Sequence, residues 1–126
     1  MIEAGSDVAA ELWSTRARAA SSILCYPEGR AALAAAQRAN RLTADHHARA
    51  LEDFEDLQRE LLIVGIDQKL AVEAGELADE LGLRGYDAVH LASAIVLGPG
   101  AVTFVTWDRD LSRAAARCGL GVAPGA

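Results

Sequence analysis

The sequence predicts an α/β domain of three layers, a parallel sheet covered by helices on both faces. Segments of helical and strand character alternate along the chain, the pattern of α/β architectures. The clearest strand segments, "LLIVG" and "VTFVT", are apolar throughout and do not alternate with polar residues, as expected of strands buried on both faces. At 126 residues, with 52 % hydrophobic side chains, the chain forms one domain (residues 1–126) with a core that needs no disulfide.

The elements follow in order. Ser6 or Asp7 caps a first helix running to about Arg18, with Val8, Leu12 and Trp13 toward one side. "AASSILCY" reads as a strand ending near Tyr26, after which Pro27 suits the first position of a helix to about Arg38. A second frame ends the strand near Ser21, makes Ser22 the N-cap and sets Glu28 one to two turns into the helix. The sequence leaves both frames open. Thr43 caps an amphipathic helix with Leu51, Phe54 and Leu57 on its apolar side. "LLIVG" is the next strand, Asp67 begins a helix to about Leu81, and Gly82 stops it. "RGYDAVHLAS" supplies a further helix, ending before "GPG". "VTFVT" is a strand by its β-branched and aromatic content, Asp108 to Arg117 is helical, and "GLGVA" ends the chain as a short strand.

Composition excludes several classes of function. No apolar run approaches the roughly 18 residues of a membrane span, and the N-terminus lacks a basic-then-apolar leader. The expected location is the cytoplasm. Cys25 and Cys118 stand far apart without metal-ligand spacing, so both read as free thiols. The net charge of −6 offers no broad positive field for nucleic acid, so RNA binding would need local arginines and a metal ion.

Three acids occupy chemically useful positions. In parallel sheets ligands bind beyond the carboxyl ends of the strands. Glu28 lies shortly after the first recognisable strand, Asp108 directly follows "VTFVT", and Asp87 opens the "YDAVHLASA" helix. Clustered carboxylates repel unless a cation neutralises them, and an all-oxygen site selects Mg²⁺ or Mn²⁺ over zinc. Each acid also has a plain explanation, since an acid in a first helical turn is stabilised by the helix dipole. The three together, each in its own apolar frame, favour a metal site.

The segments "SSILCYPEGRAAL", "LRGYDAVHLASA" and "FVTWDRDL" resemble, in order, three blocks of PIN-domain proteins, closest to the VapC-type toxins of toxin–antitoxin pairs. The resemblance runs from about residue 4 to the C-terminus, and "D-A-x-H-L-A" is its most specific block. It implies a Mg²⁺-dependent endoribonuclease (with Mn²⁺ a possible substitute) whose acids are Glu28, Asp87 and Asp108. Asp87 and Asp108 would help hold the metal, and Glu28 would bind it or orient its water. Thr106 is placed to hydrogen-bond a metal water, and Asp110 is a reserve acid that the family spacing to Leu111 disfavours. The resemblance also implies an RNA substrate, an antitoxin partner that inserts into the acidic groove, and a toxin homodimer.

Histidines are assigned away from the chemistry. His90 shares a helix face with Asp87, but the resemblance and its apolar neighbours make it a packing residue. His46 and His47 are sequence neighbours on a charged helix surface, pointing about 100° apart, and are poorly placed to share an ion.

The family's usual opening, an apolar strand ending in an aspartate, has no counterpart in "MIEAGSDVAAELW". Asp7 does not replace that aspartate, because no strand precedes it. In PIN-like sheets this first strand is central, so the strands near Ile23, Ile63 and Phe104 are expected to flank a gap. The expectation is that the domain is N-terminally truncated relative to the family, with Met1 either internal to a longer product or the start of a degenerate member. The alternative function is a non-catalytic PIN-like protein that keeps only a partner-binding surface. A receiver-like phosphoryl-transfer domain is disfavoured, for want of paired acids after an early strand and of a Gly-rich phosphate loop.

Overall fold

Short polar side chains start three of the five described helices, and glycines end two. The computed structural model describes residues 20–98 and 100–123, so the helix expected before Arg18 lies outside the described residues. Along them run β1 (Ala20–Ser22), α1 (Cys25–Arg38), α2 (Ala44–Glu60), β2 (Leu62–Val64), α3 (Gln68–Leu81), α4 (Gly85–Leu97), β3 (Thr103–Val105), α5 (Arg109–Arg117) and β4 (Gly121–Ala123). Thr43, Asp67 and Asp108 are the N-caps of α2, α3 and α5, accepting backbone N–H bonds from His46, Leu70 and Leu111. Gly82 ends α3 at φ 66°, and Leu83 N–H reaches back to the Ala78 carbonyl at 3.1 Å. That left-handed turn costs a glycine little.

The start of α1 is closer to the second of the two frames. β1 ends at Ser22, and Leu24, which offers no side-chain cap, precedes the first helical residue, Cys25. Ser22 is therefore not the N-cap, although its Oγ accepts the Leu24 N–H at 3.2 Å. Pro27 sits at the third helical position and not the first, which is tolerated because first-turn N–H groups lack intrahelical partners anyway. Neither α1 nor α2 contains a buried residue. They pair as a hairpin through Tyr26 and Phe54, whose rings stack at 5.8 Å between centroids. The Phe54 ring occupies the space that a Cβ on Gly29 would take.

Every strand pairing is parallel, as the apolar strands predict. β1 pairs with β2 (Ala20 with Leu62 through Ser22 with Val64), and β3 with β4 (Thr103 with Gly121 through Val105 with Ala123). Among the described residues the strands form two separate two-stranded sheets, where the sequence predicts one sheet. α4 spans both. It contacts β1, and its Leu91 lies in a core that also takes in Phe104 of β3 and Val122 of β4. The helical cover is uneven. Val64 packs under α3 and α4, whereas Leu62 and Ile63 are each 40 % exposed, so the described helices do not supply a second layer over β2.

Two cores meet at α4. Leu91, Leu111, Ala114, Ala115 and Leu120 form one; Leu70, Ala74, Ala88 and Ala92 form the other. Alanines at 74, 88 and 92 let α3 and α4 approach closely, and Ala88 and Ala92 lie one turn apart on the same side of α4. Ser93, also buried, donates to the Val89 carbonyl at 2.8 Å, so its hydroxyl is satisfied within the helix. Both cysteines are free, as expected. Burial pushes the Cys118 thiol above its ordinary pKa, with Glu80 adding and Arg117 opposing, which keeps it protonated and weakly nucleophilic at neutral pH. Among the described residues no helix is long and apolar enough to cross a membrane.

This packing sets an order of costs. Leu91→Ala empties a fully buried site and should lower stability by about 2–5 kcal/mol. Gly82→Ala strains only one left-handed residue and should lose about 1–2 kcal/mol. Urea denaturation of the two variants beside the wild type measures both, and equal losses would contradict the assignment of Leu91 to the core.

Candidate functional site

The first turns of α4 meet the carboxyl end of β1. His90 Nδ1 is 2.9 Å from Ser22 Oγ at the end of β1. Its Nε2 is 2.7 Å from Glu28 Oε1 in the first turn of α1. One turn earlier, Arg84 Nε donates to Asp87 Oδ2 at 3.0 Å. The Arg84 guanidinium is held above its usual pKa, chiefly by the Asp87 hydrogen bond and charge. Tyr86 contributes less, slight burial opposes, and Asp108, at the start of α5, contributes least. Arg84 thus stands in the field of two of the predicted acids. Tyr86 links the two halves: its ring centroid lies 4.9 Å from the Arg84 guanidinium carbon and 6.4 Å from the His90 ring.

His90 is not the packing residue that the sequence suggests. It bridges β1, α4 and α1 with both ring nitrogens. A carboxylate only accepts, so Nε2 carries the proton toward Glu28. Ser22 Oγ already accepts the Leu24 N–H, which leaves its hydroxyl hydrogen for Nδ1. Ser22 is buried, so Glu28 is held from behind by a chain of two hydrogen bonds anchored in the core. The partners lie 62 and 68 residues from His90 in sequence, and no local spacing announces them.

The three acids share a pattern. Glu28 uses Oε1 on His90, Asp87 uses Oδ2 on Arg84, and Asp108 uses Oδ1 to cap α5 through the Leu111 N–H at 3.0 Å. The second oxygen of each bonds to no described residue. Thr106 Oγ1 accepts the Asp108 N–H at 3.1 Å, which ties the end of β3 to that cap. Asp110 points to solvent and pairs with Arg113 at 3.5 Å. Among the described residues, no three His, Cys, Asp or Glu side chains gather closely enough to hold one metal ion. The expected convergence of all three acids on a single ion is therefore not formed here. The donor chemistry nonetheless suits a hard divalent cation: Mg²⁺ keeps several waters and commonly takes only one or two carboxylates together with a substrate phosphate. His46 and His47 lie in the first turn of α2, where the His46 N–H is bound by Thr43.

A family model described as PIN domain matches residues 3–117 of the chain. Ribonuclease VapC45 of Mycobacterium tuberculosis (strain CDC 1551 / Oshkosh) is 44 % identical over 122 residues, covering 97 % of this chain and 85 % of that protein. Ribonuclease VapC49 of Mycobacterium tuberculosis (strain ATCC 25618 / H37Rv) matches with the same identity and coverage.

The bridging role of His90 has a measurable consequence. His90→Leu removes a partner from the buried Ser22 hydroxyl and should cost about 1–3 kcal/mol. Adding Ser22→Ala should recover part of that loss, since removing both polar partners is cheaper than removing one. Chemical denaturation of the single and double variants tests this, and strict additivity would show that the two side chains do not interact.

Proposed function

The chain belongs to the PIN-domain family, in its VapC-type branch, and from that premise we propose that it is a Mg²⁺-dependent endoribonuclease acting as the toxin of a toxin–antitoxin pair. The observation that carries this reading is the Arg84–Asp87 pair at the start of α4, which leaves the second carboxylate oxygen, Oδ1, unbonded to any described residue. Positive charge is already favoured at that point. Asp87 Oδ1 and Asp108 Oδ2 would hold the metal, and Mn²⁺ would substitute. When bound, the ion lowers the pKa of a water and neutralises charge on the phosphoryl oxygens.

The chain's own residues do the rest. Glu28, held by His90, keeps Oε2 free to orient the attacking water and to accept its proton. Thr106 fixes the Asp108 backbone, so the Asp108 carboxylate moves little relative to β3. With a net charge of −6 the protein repels RNA at long range, and binding rests on local guanidinium groups, to which a bound ion would add. The same carboxylates suit an arginine-bearing antitoxin segment, because a guanidinium fork pairs well with carboxylate oxygens. Arg84 already meets Asp87 in this way through a single nitrogen, Nε. The toxin is read as a cytoplasmic homodimer in its free form.

One observation favours a second reading, a PIN-like protein that binds a partner without cleaving RNA: the acids do not form a three-ligand cluster among the described residues. Catalysis separates the two. The nuclease reading expects RNA cleavage that a chelator abolishes and Mg²⁺ or Mn²⁺ restores. Asp87→Asn and Asp108→Asn should each reduce it by on the order of 100-fold, and Glu28→Gln by on the order of 10–100-fold. Chelator-resistant cleavage, or variants as active as the wild type, would falsify the proposed site. Divalent-independent binding of the antitoxin without any cleavage would leave the second reading standing.

A further inference from the structure

Arg84 differs from the other ion-paired arginines in how it uses its nitrogens. Arg30 and Arg113 reach carboxylates through Nη1, and Arg59 reaches Asp56 through Nη2. Arg84 pairs through Nε alone, at 3.0 Å from Asp87 Oδ2. Its guanidinium carbon lies 4.9 Å from the Tyr86 ring centroid. These two contacts set the position of the group without engaging either terminal nitrogen, and neither of those bonds to a described residue. The Arg84 side chain is 67 % exposed, whereas that of Asp87, which anchors it, is 13 % exposed. An anchored root and a free fork are what a bidentate oxyanion partner requires, because two parallel N–H groups match two phosphate oxygens. Asp87 is one of the three candidate acids, so the fork stands beside one of them.

We propose that the Nη1 and Nη2 groups of Arg84 bind a backbone phosphate of the RNA, with Asp87 and the Tyr86 ring holding the guanidinium in place. The inference rests on the ribonuclease reading for the identity of the ligand, but not on cleavage. Asp87 then serves two neighbours, Arg84 through Oδ2 and the cation through Oδ1. The positive charge that an acidic protein needs for RNA is set beside its acids and is not spread over its surface.

The test uses the whole chain and a single-stranded 2′-O-methyl oligoribonucleotide, which binds without being hydrolysed. Fluorescence anisotropy measures its affinity over a range of salt concentrations in the absence of divalent ions. Arg84→Ala should weaken binding by about tenfold. It should also make the slope of log K against log salt shallower by about 0.7, the value for one phosphate contact on a single strand. Arg84→Lys should recover most of the slope but not the affinity, since an ammonium carries charge without the fork. Arg59→Ala, an exposed arginine on α2, makes the same change in net charge and should alter the slope little. Thermal melts of all three variants should match the wild type. The proposal is overturned if Arg84→Ala keeps the wild-type slope, if Arg59→Ala loses as much, or if the wild-type chain does not bind the oligonucleotide. Failure of the nuclease reading looks different: Arg84-dependent binding would persist while cleavable RNA with Mg²⁺ stayed intact.

Discussion

The helix from Gly85 to Leu97 must satisfy two cores at once, and the rest of the molecule is arranged around that constraint. Ala88, Leu91, Ala92 and Ser93 are all buried, so neither side of its middle is left to solvent. A helix enclosed in this way is apolar on nearly every side. Polar groups can stand only at its ends or where a partner waits for them. Its N-terminal turns therefore carry all its chemistry: Tyr86, Asp87 and His90 within the helix, and Arg84 at its cap. The carboxylate near the start of this buried helix is no anomaly, because the helix emerges there at the carboxyl end of β1. The two pairs share no hydrogen bond among the described residues, so the side chains of α4 are what hold β1 and β3 in one molecule.

How much of this is legible in sequence depends on the range of the interaction. Thr43 is readable as a cap, and Asp67 and Asp108 as helix starts, because a cap bonds three residues away, within the window that a local pattern covers; all three are N-caps in the structure. Gly82 was readable for the same reason. The start of α1 is ambiguous in sequence because Ser22 and Pro27 each offer a valid local helix start. Long-range bonds decide among them, notably Ser22 to His90 and Ile23 N–H to the Val64 carbonyl. The candidate acids could be chosen from their positions after strands, but their hydrogen-bond partners could not. His90 to Glu28 spans 62 residues, and an apolar neighbourhood in sequence made His90 look like filler. One signal was present: a histidine one turn after an acid in an otherwise apolar helix must find two partners when it is largely buried.

The sheet shows the same division. Apolar strands announce parallel pairing, and both pairs are parallel. Apolarity does not reveal which strands are neighbours, because β1 and β2 are separated by a helical hairpin with no buried residue. Leu62 and Ile63 are as apolar as fully covered strand residues, yet each is 40 % exposed. Composition predicts that such residues want cover. Only the arrangement of the helices shows where that cover comes from.

The acids are better understood through their oxygens than through their separations. One oxygen of each is fixed by the protein, and these fixed bonds differ in how readily they could be given up. The Asp108 bond caps α5, and breaking it would fray the first turn. The Glu28 bond is backed by Ser22 in the core, so His90 cannot leave without exposing a buried hydroxyl. The Asp87 bond is made by a mostly exposed arginine, the most exchangeable partner of the three. Every carboxylate is thereby ordered before any ligand arrives, and its free oxygen is presented at little further entropic cost. Arg84 neutralises Asp87 through Nε alone. A cation on the other Asp87 oxygen would leave that bond in place, so the guanidinium fork could meet a phosphate without releasing the acid. Positive charge set beside an acid is how a chain of net charge −6 would accept a polyanion.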